Sequence, residues 1–223
     1  AALGRSFNSA AQRIEALVAS HRSLLANASH ELRSPLARIK MALAMLDDAK
    51  PDAPPEVRAG LRREVERNIR ELDALVEEVL LASRLDAPDE TNRTASHTPV
   101  ALLALAAEEG ARFNAAVQGE DASVLGDERL LRRALRNLLE NARRYGGAAP
   151  PEVDIARTAG GVQVRVSDRG PGVVPEQRER IFEPFYRLPG HAEQAGGVGL
   201  GLSLVRQIAR AHRGSVLCEG RDG

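Results

Sequence analysis

Residues 25–46 read LANASHELRSPLARIKMALAML, and the spacing of their apolar side chains decides how the first half of the chain folds. Leu25, Ser29, Leu32, Leu36, Ile39, Leu43 and Leu46 fall at alternating steps of four and three. That is an a/d seam sustained over three heptads, the signature of a helix with one side turned to a partner. Residues 7–49 contain no internal Gly, and Pro35 is their only Pro, so one long helix is expected. Inside it His30 stands beside Glu31, with the Ser34 hydroxyl four residues on, a compact set of groups for acid–base and nucleophilic chemistry. At ~100° per residue His30 lies about 160° from seam residue Leu32 and should be exposed. Ser34 should share that face one turn along. Pro35 removes a backbone hydrogen bond and should kink the helix there, at a cost of ~3 kcal/mol. A lone helical histidine is ordinarily one more polar residue on a solvated face; what sets His30 apart comes about a hundred residues later.

Working outward, Pro51-Asp52-Ala53-Pro54-Pro55 breaks the helix. A second stripe follows: Leu61, Val65, Asn68, Leu72, Leu75, Val79 and Ala82, broadened by Ile69, Val76 and Leu80. It fades at Leu85-Asp86-Ala87-Pro88. Two long helices joined by a short Pro-rich turn make an antiparallel hairpin. Stripes this broad cannot be covered within one hairpin, so a homodimer forming a four-helix bundle is expected. Upstream, residues 7–18 continue the helix without chemistry of their own.

Residues 91–99 are polar and aperiodic, a linker, and after them the pattern changes. Helices are expected over residues 102–112, 130–145 and 200–212. Residues 152–157 and 162–167 alternate with period two around Gly160-Gly161, a hairpin signal. Residues 215–218 should begin a further strand. Helices and antiparallel strands segregated in this way point to a two-layer α/β sandwich.

Two glycine clusters punctuate this half: Asp168-Arg169-Gly170-Pro171-Gly172, and Gly196-Gly197-Val198-Gly199-Leu200-Gly201-Leu202 just before a helix. Glycines there let backbone N–H groups approach an anion at a helix N-terminus. The second cluster lacks the Gly-Lys-Ser/Thr ending of a P-loop and follows no strand of a βαβ unit, which argues against both a P-loop and a Rossmann site. Asn137 and Asn141 are four apart and share a helix face with Arg144. Paired carboxamides can supply neutral oxygen ligands to a Mg²⁺ already bridged by phosphate.

Composition narrows the classes. Lys+Arg and Asp+Glu are equal at 31 each, so no global field draws in nucleic acid. Aromatics are 3% with no Trp, leaving the core to Leu, Val, Ile and Ala. The single cysteine, Cys218, excludes a disulfide framework and a multi-cysteine metal site and suits a reducing compartment. No apolar run approaches the ~18–20 residues that cross a bilayer. The ends, Ala1-Ala2-Leu3 and Gly220-Arg221-Asp222-Gly223, read as those of a fragment.

Taken in order, five segments resemble the boxes of the sensor histidine kinases of two-component signalling. Ser29 through Leu36 is similar to the H box, Asn137 through Tyr145 to the N box, and Asp168 through Gly172 to the G1 box. Phe182-Glu183-Pro184-Phe185-Tyr186-Arg187 is similar to the F box and Gly197 through Gly201 to the G2 box. The resemblance covers roughly residues 20–220. It implies an α+β chain of two domains: a helical hairpin that dimerises and carries the phospho-acceptor, then a Bergerat-type ATP-binding sandwich. The implied organisation is a signalling-helix stub over 1–20, the dimerisation and phosphotransfer domain over 21–90, a linker over 91–99, and the catalytic domain over 100–223, lacking the family's last strand.

Residue by residue, the resemblance makes His30 the phospho-acceptor and Glu31 the base that takes its proton. Asn141, assisted by Asn137, would ligate Mg²⁺, and Asp168 would accept from the adenine amino group. Gly170 and Gly172 would allow close approach of the base. Arg144, Tyr145, Phe185 and Arg187 would flank the nucleotide, and Gly197, Gly199, Leu200 and Gly201 would belong to the lid over the phosphates. Related ATPases such as DNA gyrase carry a water-activating Glu where this N box has Asn137, so a poor hydrolase that hands phosphate to His30 is implied.

Some positions depart from the family. Ser34 stands where Thr is usual, keeping the hydroxyl that positions water for dephosphorylating the response regulator but losing the methyl that restricts its rotamer. Arg144 replaces the commoner Lys, a forked donor for a compact charge. The stretch 112–126 and the lid 187–196 are short, and the first implies an abbreviated peripheral strand. The implied partners are a second copy of the chain and a response-regulator receiver domain, with no nucleic acid. The implied location is the cytoplasmic portion of an inner-membrane sensor, anchored through a region outside this sequence. Two other readings stand beside this one: a kinase-inactive regulator phosphatase, and a dimeric scaffold that docks a regulator. Because donor pocket and His30 would sit on different domains, the ATP-binding domain would have to swing toward the bundle.

Overall fold

The computed structural model describes residues 2–48, 54–86, 97–188 and 198–221, with side chains described from Leu25 onward. Several expectations fall outside these residues: the first part of the Pro-rich break (51–53), most of the linker (91–96), most of the lid, and Gly196 and Gly197. The chain divides into two compact units, Ala1–Asp86 and Ala87–Gly223.

The first unit is a hairpin of α1 (Ala2–Asp47) and α2 (Pro55–Asp86). α1 continues unbroken through Pro35. Pro55 opens α2, where its missing N–H and fixed φ do no harm, and Glu56 adds favourable charge to the first turn. On α2 the seam lies where the sequence puts it: Asn68, Leu75 and Ala82 are buried, with Leu61, Val65, Leu72 and Val79 half-buried beside them.

On α1 the seam differs. Ala28, Pro35 and Ala42 are the buried residues, flanked by half-buried Leu32, Ile39 and Leu46, while Leu25, Leu36 and Leu43 are exposed by 61%, 45% and 46%. The apolar stripe is wider than one partner helix can cover. α2 takes the flank with the small side chains, which permits close approach, and the larger leucines are left on the open flank.

The second unit is α/β. A two-stranded antiparallel sheet pairs β1 (Thr98–Ala101) with β3 (Ser123–Gly126). A three-stranded sheet has the order β2 (Ala116–Gly119), β4 (Glu152–Thr158), β5 (Gly161–Ser167). β4 and β5 form the expected hairpin around Gly160-Gly161. β2, which the sequence pattern did not mark, pairs with β4 in parallel. The chain runs through β3 and the long helix α4 before returning, and that crossover length is what parallel pairing requires. The stretch 112–126, expected to hold an abbreviated strand, carries two short ones of four residues each, β2 and β3. Thr98 and Pro99, expected in the linker, belong to β1.

Residues 215–218 make no ladder and are not a strand. Strand geometry needs a hydrogen-bonded neighbour, and this segment is held near its end by the side-chain pair Arg221–Glu152, at 3.0 Å.

Three helices cover the sheets: α3 (Leu102–Ala111), α4 (Glu128–Tyr145) and α5 (Gly201–Ala211). Asp127 caps α4, its Oδ1 accepting from the N–H groups of Arg129 and Leu130 at 2.8 and 3.3 Å, so the helix starts earlier than its apolar pattern suggests. The core joins Val100, Leu102, Leu105, Leu135, Leu139, Val153 and Ile155 between α3, α4 and the strands. α5 adds Leu204, Val205 and Ile208.

One buried polar cluster fastens α3 to α4. Glu109 is fully buried, accepting from Arg136 Nε and Nη2 at 2.9 and 3.1 Å and from Arg132 Nη1 at 3.1 Å. The guanidinium of Arg136 leads in holding its carboxyl below the usual carboxylate range, against the opposing effect of burial.

Candidate functional site

On α1, His30 and Ser34 are exposed as the seam geometry requires, and Glu31 is half-buried. Pro35, expected to shape this neighbourhood through a kink, is buried on the hairpin's inner side. The Ser34 hydroxyl oxygen accepts from Arg38 Nη1 at 2.8 Å. The sequence reading passed over Arg38. The signal was available: a guanidinium one turn after Ser34 on the same helix.

In the second unit, the C-terminal end of α4 and the Asp168 loop after β5 are locked together by two glycines. The Gly146 N–H donates to Ala142 O at 2.7 Å, and a Cβ on Gly146 would lie 2.6 Å from the Asp168 Cβ. A Cβ on Gly170 would lie 2.3 Å from the Tyr145 carbonyl oxygen. Glycine at these positions therefore serves the contact between loop and helix. Gly172 has open space around it and a φ of 74°, so its need is conformational. The Asp168 carboxylate uses Oδ1 to accept from the Gly170 N–H at 2.8 Å, leaving Oδ2 for a ligand.

Asn141, Asp168, Gly170 and Gly172 line one broad open cleft of about 1420 Å³. That is larger than one nucleotide needs, because the cleft continues under residues 214–221. Its apolar floor includes Leu138, Ala142, Phe182 and Leu202. Leu138 lies three residues before Asn141 on the same helix face, and Ala142 lies one turn after Leu138, a signal the sequence held.

The other expected residues that the structure describes do not line this cleft. Asn137 is buried, its Nδ2 donating to Gly201 O at 3.1 Å, which ties α4 to the first turn of α5. Leu200, expected against the nucleotide, is fully buried in the core, so only its backbone can face a ligand. An apolar side chain at the start of an amphipathic helix is drawn inward instead.

Arg144 is exposed, and Tyr145, Phe185, Arg187 and Gly201 are half-buried. Phe185 adopts φ 63°, and its N–H donates to Gly199 O at 2.9 Å. A Cβ on Gly199, itself at φ 81°, would lie 2.9 Å from the Phe185 Cα. The F and G2 boxes thus meet through backbone, a contact that leaves no room for a side chain at Gly199. Gly197 lies outside the described residues.

α5 starts without a side-chain cap. The Ser203 hydroxyl donates back to Leu200 O at 2.8 Å rather than capping the first N–H groups. Uncapped N–H groups beside the positive end of a helix dipole suit phosphate oxygens. For a divalent ion, the described residues contain no group of three or more His, Cys, Asp or Glu side chains. The chain here offers carboxamide oxygens, a donor set that fits Mg²⁺ when phosphates complete its shell. No helix among the described residues is long and apolar enough to cross a membrane.

Residues 20–88 match the His Kinase A (phospho-acceptor) domain family, and residues 126–223 match the histidine kinase-, DNA gyrase B-, and HSP90-like ATPase family. The sensor protein RstB of Escherichia coli (strain K12) is 38% identical over 226 residues, covering 97% of this chain and 50% of that protein. The sensor histidine kinase CpxA of the same organism is 34% identical over 232 residues, covering 98% and 48%. Among solved structures, full-length ShkA in complex with AMPPNP has a TM-score of 0.61 at 28% identity, covering 91% of this chain and 43% of that one. The chain spans about half the length of the curated relatives it matches. A phospho-acceptor hairpin followed by an ATPase-type α/β domain is the protein-histidine kinase arrangement, and this chain belongs to the sensor histidine kinase family.

Proposed function

We propose that this chain phosphorylates its own His30 from ATP, passes the phosphoryl group to an aspartate of a response-regulator receiver domain, and dephosphorylates that regulator with the help of Ser34. The observation that carries the reading is one chain holding both halves of the reaction. These are an exposed histidine beside a carboxylate, and a cleft that gathers Asn141 and Asp168 next to an uncapped helix N-terminus.

In the transfer step a neutral ring nitrogen of His30 attacks the γ-phosphorus. The N–P bond forms, the bond to the ADP oxygen breaks, and the ring proton passes to Glu31. Asp168 Oδ2 accepts from the adenine amino group and sets the base in the cleft. Asn141, which lines the cleft, would present its carboxamide oxygen to Mg²⁺, an ion that would neutralise the phosphate oxygens, and buried Asn137 would assist by holding the first turn of α5 against α4. Asn137, standing where a hydrolase has Glu, takes no proton from water, which keeps hydrolysis slow and leaves His30 as acceptor.

The working unit is a homodimer. Leu25, Leu36 and Leu43 on α1 and Ile69, Val76 and Leu80 on α2 are all at least 45% exposed in the single hairpin, and a second copy would bury them as a four-helix bundle. We place the chain as the cytoplasmic portion of a membrane-anchored sensor, since ATP and receiver domains are cytoplasmic and half of each sensor relative lies outside the aligned region.

One assay tests the central step. With γ-labelled ATP and Mg²⁺ the chain should take up acid-labile, base-stable label that vanishes in His30→Gln. No label with nucleotide binding intact would leave a kinase-inactive phosphatase as the better reading.

A further inference from the structure

An exposed serine on a helix usually turns its hydroxyl back to the carbonyl four residues earlier, as Ser29 does toward Leu25 O at 2.7 Å. Ser34 is held differently. Arg38 spreads its guanidinium over three partners: Nη1 donates to Ser34 Oγ at 2.8 Å, Nε to Asn68 Oδ1 at 2.6 Å, and Nη2 to Glu71 Oε2 at 2.8 Å. Asn68 is itself 1% exposed, its Nδ2 donating to the Glu64 carbonyl at 2.7 Å and Glu64 Oε1 at 2.9 Å. A surface arginine ordinarily samples many rotamers. This one is pinned to α2 at two points, one of them buried, and its remaining arm reaches Ser34.

The chemical consequence lies at the Ser34 oxygen. One lone pair is taken by a cationic donor, which fixes the rotamer and polarises the O–H. The proton and the second lone pair stay available to a water. Serine lacks the methyl that would restrict a threonine at this position, and the guanidinium supplies the restriction from outside.

We propose that Arg38 is the positioning residue for Ser34 in regulator dephosphorylation, and that Asn68 and Glu71 hold Arg38 in place from α2. This rests on the reading of Ser34 as the group that orients the water. In that step the water oxygen forms a bond to phosphorus and the bond from phosphorus to the aspartyl oxygen breaks. The free carboxylate and inorganic phosphate leave, and the water protons remain on the phosphate. Because the guanidinium is anchored on α2, the direction of the hydroxyl depends on the packing of α1 against α2. A shift of one helix along the other would release it.

The test uses the whole chain. Its substrate is the receiver domain that takes label fastest from phosphorylated wild type, loaded with phosphate from acetyl phosphate. Arg38→Met should lower the turnover of dephosphorylation by about tenfold to a hundredfold, the scale expected when a reacting group is misplaced by a fraction of a bond length. KM for the receiver should move much less. Ser34→Thr in the Arg38→Met background should restore most of the turnover, which repair of a merely structural defect would not do. The Ser34→Ala/Arg38→Met double variant should be no slower than Ser34→Ala.

Arg38→Lys keeps the charge with one donor point and serves the same comparison if Arg38→Met loses helicity. Wild-type turnover in both Arg38 variants while Ser34→Ala is slow would overturn the role of Arg38 alone, as would failure of Ser34→Thr to rescue. Wild-type turnover in Ser34→Ala would overturn the Ser34 reading and this inference with it.

Discussion

Glu109→Ala is the substitution whose effect the structure sets most directly. The carboxylate is fully buried and accepts three charge-assisted hydrogen bonds of 2.9–3.1 Å, two from Arg136 and one from Arg132. At about 1.5–3 kcal/mol each, their gross worth is roughly 5–9 kcal/mol. Part survives the substitution, because both guanidiniums are about 30% exposed and Arg132 keeps Glu108 and Glu128, each at 2.7 Å. The net loss should be about 3–5 kcal/mol, the usual range for breaking a buried ion pair from one side. Glu109→Gln, which keeps an acceptor and the shape, should cost about 1.5–3 kcal/mol.

The two tyrosines, Tyr145 and Tyr186, both lie in the second unit and the chain has no Trp, so tyrosine fluorescence in urea reports that unit alone. With a slope of about 2 kcal/mol/M, Glu109→Ala should move the midpoint down by about 2 M. The pH dependence follows from the direction of the Glu109 shift. Its folded pKa is lowered from 4.5, so the stabilisation is fully present above that value and is lost as pH falls through the folded pKa. The gap between wild type and Glu109→Gln should hold from neutral pH down to about 5.5 and close below that. A midpoint within about 0.3 M of wild type for Glu109→Ala would refute the reasoning, since that is less than 1 kcal/mol on the same slope.

Two further outcomes are expected. Gly170→Ala places a methyl 2.3 Å from the Tyr145 carbonyl oxygen, backbone that cannot turn aside, so the Asp168 loop must lift off α4. Nucleotide affinity, read with a fluorescent ATP analogue, should fall by about tenfold or more, the worth of one displaced hydrogen bond to a charged group. Phosphotransfer from His30 loaded by phosphoramidate should continue, and wild-type affinity would show that the loop contact does not position Asp168. Leu43→Glu with Val76→Glu puts charge on the open flank of the hairpin at two positions exposed by 46% and 45%. Light scattering should then give monomers that still bind nucleotide, whereas a dimer of unchanged dissociation constant would place the interface elsewhere.

The hairpin shows where periodicity succeeds and where it stops. α2 buries the positions its four/three spacing marks and leaves exposed Ile69, Val76 and Leu80, which broaden the stripe. α1 carries a stripe wide enough for two partners, and the sequence has no term that says which flank goes to which. At Pro35 the sequence points to a missing hydrogen bond, and the fold adds that the residue is buried on the inner face, where a ring with no N–H packs well against a neighbouring helix.

By itself the sequence determined the helices, the β4–β5 hairpin, the exposure of His30 and the family, because each rests on local spacing and short motifs in order. Tertiary structure alone decided the rest. It paired β2 with β4 in parallel, tied Asn137 to the first turn of α5 while Asn141 lines the cleft, and assigned Gly146, Gly170 and Gly199 to contacts with Asp168, Tyr145 and Phe185 on other segments. It also brought Arg38, Asn68 and Glu71 onto one another, 30 and 33 residues apart along the chain. Such contacts depend on which surfaces meet after the helices and strands have formed, and no window of neighbouring residues contains that information.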